Sequence, residues 1–160
     1  MTVMTSDPVY RLATPKDTAL VRSINAAAYI PAYEAVIGAI PKPAFEDCAH
    51  SIEKESVWIA EIDGQASGVL IIVHAPDHMM VYSIAVLPWR QRAGLGKALL
   101  SFAEKLALEM GLPELRLYTN RRMERNVALY TSCGFVEIAT RPHPSRPGEV
   151  LVDMVKPLGV

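Results

Sequence analysis

Apolar and polar positions follow two periods along this chain, and the places where one period gives way to the other mark its elements. Tyr10 to Ala13 reads as a short strand. Thr14-Pro15-Lys16-Asp17 is a helix start with proline just inside it, which predicts a helix to about Ala28. From Tyr29 to Ser56 the run is broken by Pro31, Gly38, Pro41 and Pro43, so short helical pieces around a mobile connection are expected there. Val57 to Ile62 and Ala66 to Val73 flank Asp63-Gly64, a dipeptide that supplies the positive φ angles of a tight hairpin turn. Met79 to Val86 alternates, with Met80, Tyr82, Ile84 and Val86 on one face and Val81, Ser83 and Ala85 on the other.

After a glycine turn the period changes to that of a helix. Leu95, Leu99, Phe102, Leu106 and Met110 form the apolar stripe, Lys97, Ser101, Glu104 and Lys105 face outward, and Gly111 and Pro113 end the helix. Leu115 to Thr119 reads as a strand, Glu124 to Cys133 as a second short helix, and Phe135 to Thr140 and Val150 to Val155 as the last strands. Between those two strands lies a loop rich in Pro, Arg and His, Arg141 to Gly148. No internal repeat or low-complexity tail appears.

Composition narrows the classes. With 160 residues, 51% hydrophobic and 21% charged, a single domain over residues 1–160 is expected. A formal charge of -1 offers no field for wrapping nucleic acid, so nucleic acid is not an expected partner. Cys48 and Cys133 stand far apart and read as buried reduced thiols. The start is polar, and the longest apolar run, Val69 to Val73, is too short to span a bilayer, so a soluble cytoplasmic protein without membrane contact is expected. His74 and His78 are four apart, but Pro76 between them denies them a helix face, so no metal site is expected.

Gly94-Leu95-Gly96-Lys97 sits where an apolar strand turns into an amphipathic helix, and a helix start stripped of side chains is a ready anion site. Two familiar nucleotide loops are excluded by spacing. Ala98 stands where a P-loop needs Ser or Thr, and Leu99 where a dinucleotide fingerprint needs its third glycine. A tight structural turn is the plain alternative.

The company of this turn is more specific. Ile84-Ala-Val-Leu-Pro-Trp-Arg-Gln-Arg-Ala-Gly-Leu-Gly-Lys-Ala-Leu-Leu100 resembles the acyl-CoA signature of the GNAT family of N-acetyltransferases, Q/R-x-x-G-x-G/A preceded by a strand ending V-x-P. Asn126-Val-Ala-Leu-Tyr-Thr-Ser-Cys-Gly-Phe135 resembles that family's second pattern, with Asn, Ala, Tyr and Gly-Phe in order. The resemblance covers about Val57 to Val155. It implies an α+β fold, a mostly antiparallel sheet of six or seven strands flanked by helices.

It also implies acetyl-CoA as co-substrate. The pyrophosphate would lie on the stretch Gln91, Arg92, Ala93, Gly94, Leu95, Gly96, Lys97 and Ala98, held by main-chain amides, with Gln91 either bracing the turn or reaching a phosphate oxygen. Lys97 is either a phosphate partner or a surface lysine, and Arg90, Arg121, Arg122 and Arg125 are further cations flanking the site in sequence. Pantetheine would pair with the main chain of Ile84, Ala85 and Val86, where that strand splays from the one ending near Thr119. Asn126 would hold the pantetheine or orient a water. Tyr130, on the same helix face, would act as general acid at the sulfur, its alternative being a core aromatic.

The implied reaction is direct attack by a primary amine, from a small molecule, peptide or protein, on the thioester. Where some relatives carry an acidic or histidine base on the strand before the glycine turn, this chain has Met80 and Tyr82. His78, further back on the same alternating face, could act through water; Glu34, Asp47 and His143 are other candidates. Cys133 lacks a partnering base and reads as packed. Tyr29 and Tyr33 are core or line the acceptor pocket, Trp58 is core, and Trp89 packs beside the cofactor. The loop with Arg141, His143 and Arg146 either meets a substrate carboxylate or is simply solvated. A homodimer is compatible with the resemblance, and the alternative function is a non-catalytic acyl-CoA-binding or regulatory module.

Overall fold

A computed structural model of the chain describes residues 7–39, 48–91 and 94–159. Among them, seven strands form one mixed sheet in the order β1-β2-β3-β4-β5-β7-β6. The strands are β1 (Val9–Leu12), β2 (Val57–Ile62), β3 (Gln65–His74), β4 (Met79–Val86), β5 (Glu114–Asn120), β6 (Val136–Pro142) and β7 (Val150–Pro157). The helices are α1 (Thr18–Val36), α2 (Ala49–Glu53), α3 (Leu95–Glu109) and α4 (Glu124–Ser132). Residue contacts divide the chain into two compact units, one within Met1–Ile72 and Ser83–Leu99, the other within Val73–Tyr82 and Leu100–Val160.

In the first unit β1 and β3 both run antiparallel to β2. The hairpin turn adopts the expected geometry, with φ of 51° at Asp63 and 78° at Gly64. Val57, Ile59, Ile62, Val69 and Leu70 are fully buried, as strands packed from both sides require. Helix α1 corrects the sequence reading. It continues through Pro31 to Val36, because Pro31 is exposed and its missing N–H costs a single helical bond while Val21 and Ile24 anchor the helix in the core. Tyr29 and Tyr33 therefore share a helix face, with ring centroids 5.7 Å apart. The expected breaks at Pro41 and Pro43 lie outside the described residues.

In the second unit β5 and β6 flank β7 antiparallel, and β4 pairs parallel with β5 through Met79↔Leu115 and Met80↔Arg116. Leu115, Leu117, Val152 and Met154 are buried, and Lys156 Nζ reaches Glu104 Oε2 at 2.7 Å. The register of β6 on β7 shifts between Glu137 and Ala139, leaving Ile138 extra and 58% exposed.

Three smaller expectations change. Met110 lies past the end of α3 and is half exposed, because the helix stops at Glu109 before its stripe can carry that residue inward. Trp58 is half-buried where full core burial was expected, and so is Cys133.

Candidate active site

In the first unit, β4 delivers Ile84, Ala85 and Val86 to the glycine turn. Ile84 is half-buried and the other two are buried. Side chains already claim two of the strand's carbonyls here. The Tyr29 hydroxyl donates to Ile84 O at 2.9 Å and lies 2.8 Å from Ser83 Oγ. The Gln91 amide donates to Val86 O at 2.9 Å, so Gln91 braces the turn. Pro88–Arg90 form a single 3-10 turn, in which Arg90 N–H bonds Leu87 O at 2.8 Å.

Gly94 has φ of 91° and is exposed, a backbone state that side chains rarely permit. Its carbonyl accepts the first bond of α3, from Ala98 N–H at 3.0 Å. The N–H groups of Leu95, Gly96 and Lys97 therefore precede any acceptor within their own helix. Leu95 is buried and pins the helix start, while Lys97 is exposed. Beside the turn, Arg90 Nη2 reaches Gln65 at 3.4 Å and its buried Nε has no hydrogen-bond partner among the described residues. Amides that lack acceptors within their own helix and a glycine with no Cβ in the way together suit a phosphate anion. Arg92 and Ala93 lie outside the described residues. Trp89 is 71% exposed.

In the second unit, α4 carries Asn126 and Tyr130 one turn apart, both half-buried. Asn126 Nδ2 lies 3.5 Å from Thr119 Oγ1 of β5. Tyr130 meets Phe135 edge-on at 6.0 Å, and Phe135 N–H bonds Tyr130 O at 3.0 Å. Buried Asn120 sets the start of α4: its Oδ1 accepts Arg122 N–H at 2.9 Å and its carbonyl accepts Met123 N–H at 2.9 Å. The Cys133 sulfur lies 3.9 Å from Ser132 Oγ.

Among the candidate bases, His78 stands just before β4 with its Nδ1 2.7 Å from Asp77 Oδ1. That contact, more than the Arg116 charge, holds the Asp77 carboxyl below its usual range. Glu34 is exposed, Asp47 lies outside the described residues, and His143 Nδ1 accepts Ser145 N–H at 3.1 Å. Several of the flanking arginines serve structure. Arg121 pairs with Glu137 at 3.5 Å, and Arg122 with Glu149 at 2.9 Å, which lowers the Glu149 carboxyl. Arg141 clamps Asp153. Sequence reasoning gave Tyr29 no partner on β4 and missed Asn120 and Asp153, because such partners come from distant strands. Among the described residues no group of three or more His, Cys, Asp and Glu could hold a metal, and no helix is long and apolar enough to cross a membrane.

Residues 23–135 match the family model described as Acetyltransferase (GNAT) family. The chain is 30% identical over 125 residues to the mycothiol acetyltransferase of Streptomyces coelicolor, a match over 76% of this chain and 40% of that protein. It thus spans well under half of that relative's length. Among solved structures it is similar to the ribosomal-protein-S18-alanine N-acetyltransferase from Escherichia coli, with 20% identity, a TM-score of 0.74, and 96% of this chain and 95% of that one covered. It is also similar to the PaiA N-acetyltransferase from Thermoplasma acidophilum in complex with coenzyme A, with 16% identity, a TM-score of 0.75, and coverage of 95% and 99%. At these identities the likeness is one of fold.

Proposed function

Because the chain belongs to the GNAT acetyltransferase family, we propose that it moves an acetyl group from acetyl-CoA to a primary amine by direct attack, with no covalent enzyme intermediate. The observation that carries this reading is the exposed turn at Gly94, opening α3 with amides that lack helical acceptors. The family match runs across both compact units, which supports one acetyltransferase domain over the chain.

In this reading the amides of the turn and of the first helical residues, Gly94 to Lys97, hold the pyrophosphate, and the main chain of Ile84, Ala85 and Val86 aligns the pantetheine. The acetyl thioester supplies an electrophilic carbonyl and a thiolate leaving group. Tyr130 offers its hydroxyl to the sulfur, and Asn126, steadied by Thr119, holds the pantetheine or a water. Full proton transfer from a phenol of pKa ~10 to a thiolate of pKa ~8.5 is uphill by about 2 kcal/mol. Hydrogen-bond stabilisation of the thiolate is therefore the larger part of the role of Tyr130.

The amine must also lose a proton. One with pKa ~10.4 is neutral at pH 7 at a cost of about 4.6 kcal/mol. His78 is the base we assign, acting through water: with Asp77 on Nδ1, its Nε2 is left to accept a proton. Calorimetry with coenzyme A, followed by a thiol-release assay over an amine and peptide panel, tests the proposal. Binding with release for at least one amine is expected. Absence of coenzyme A binding overturns it, and binding without release for any acceptor would make the chain a non-catalytic module.

A further inference from the structure

A pocket of about 250 Å³ opens on the second unit, lined by Met80 of β4, Arg116 and Leu117 of β5, Ile138 of β6, and Asp153 and Met154 of β7. Leu117 and Met154 are buried and alternate with Arg116 and Asp153 along their strands, so the side chains offered to a ligand are the apolar Met80 and Ile138 and the oppositely charged Arg116 and Asp153. Each charge is held in place from outside the pocket. Arg141 Nε bonds Asp153 Oδ1 at 3.2 Å and Oδ2 at 3.0 Å, and Arg141 Nη2 bonds Oδ1 at 3.1 Å. Arg141 is itself fixed, lying 4.9 Å from the centre of the Tyr118 ring. Arg116 gives its Nε to Glu114 Oε2 at 2.6 Å, and its Nη2 stands 4.0 Å from Asp77.

Neither charge is used up by these contacts. A carboxylate has about four acceptor positions and three contacts reach Asp153, which leaves room on Oδ2. Most of the guanidinium donors of Arg116 remain uncommitted, and its side chain is 36% exposed against 26% for Asp153. A ligand with only an amine or only a carboxylate would answer one wall and strip water from the other charge without replacing it. The volume lies below the ~300–1,000 Å³ of pockets for drug-sized ligands, so the ligand is small.

We propose that this pocket binds an apolar α-amino acid, its carboxylate on Arg116, its ammonium on Asp153 and its side chain against Met80 and Ile138. Binding does not depend on acetyl transfer; only the identification of this amine as the acetyl acceptor rests on the function proposed above.

The test titrates the full chain, without acetyl-CoA, with L-leucine, with 3-methylbutylamine, which lacks its carboxylate, and with 4-methylpentanoate, which lacks its amine. Coenzyme A is titrated separately into the wild type, Arg116→Gln and Asp153→Asn. Saturable leucine binding is expected, about tenfold or more tighter than either analogue, and weakened about tenfold or more in each variant while coenzyme A binding is retained. No saturable leucine binding at millimolar concentrations, equal binding of the analogues, or unchanged leucine affinity in both variants overturns the pocket. Leucine binding without coenzyme A binding would sustain the pocket and remove the acetyltransferase reading.

Discussion

The hydroxyl of Tyr29 on α1 donates to the carbonyl oxygen of Ile84 on β4 at 2.9 Å, and since it has one proton, the buried Ser83 hydroxyl 2.8 Å away donates to it in turn. A helix is thereby bonded to the main chain of the strand that leads into the glycine turn. Tyr29→Phe leaves the Ile84 carbonyl and the Ser83 hydroxyl each short of a partner. A loss of about 1–2 kcal/mol in urea unfolding is expected, with the KM for acetyl-CoA rising more than kcat falls. An unchanged KM would separate this anchor from cofactor binding.

At Gly94 the φ of 91° and the exposed turn make two different demands. Gly94→Ala meets the backbone strain, which costs about 1–2 kcal/mol. Gly94→Glu adds bulk and a negative charge where an anion is proposed to dock. Calorimetry is expected to show coenzyme A binding lost in the glutamate variant and only weakened in the alanine one. Unchanged affinity in Gly94→Glu would remove the phosphate site.

Gly68 was not singled out in the sequence, yet β3 needs it. A Cβ there would stand 3.1 Å from Ala85 O and 3.2 Å from side-chain carbons of Leu95 and Leu99. The leucines can give by a few tenths of an ångström, but the β4 carbonyl is less free to move. Gly68→Ala also gains about 0.5–1 kcal/mol of chain entropy, so its net loss should be small. Gly68→Val should lose about 2–3 kcal/mol by overpacking. Melting temperatures of both variants check the order, and equal values would mean that the close approach is relaxed.

How much of this was legible follows from range. The Asp63-Gly64 hairpin, the alternating faces of β4 and the stripe of α3 are local patterns, and their bounds came out within a residue or two. Pro31 misled because its cost is local, about one helical bond, while what keeps α1 whole is the burial of Val21 and Ile24 beneath it. The glycine turn and the Asn126-Tyr130 face were readable because each lies within one short segment. The Tyr29–Ile84 bond and the Arg141–Asp153–Tyr118 cluster join residues from different elements, and no spacing rule reports such pairs.

Tyr130 packs edge-on against Phe135, so Tyr130→Phe keeps the ring contact and removes only the hydroxyl. If the hydroxyl steadies the departing sulfur, kcat should fall by about 10- to 1,000-fold, with KM little changed. Steady-state thiol release measures both. Equal turnover would leave Tyr130 a packing residue.

Asp17 ties the entry to α1 back to β1, and the Arg11 guanidinium at 2.9 Å, with Thr14 N–H at 2.8 Å, holds its carboxyl down to about 2 from the ordinary 3.8. A depressed carboxyl stabilises the fold above its ordinary pKa and loses that contribution as pH falls through the folded value. The window is therefore pH 4 to 2. The two pKa values set a ceiling of about 2 kcal/mol, and because the Arg11 side chain is 36% exposed, solvent screening reduces this to about 1 kcal/mol. Asp17→Asn should be about 1 kcal/mol less stable than wild type at pH 7, and the two should converge as the pH is lowered to about 2. Urea unfolding at pH 7, 4, 3 and 2 follows the difference, and a gap that persists undiminished at pH 2 would mean that the pair contributes through packing and not through its charge.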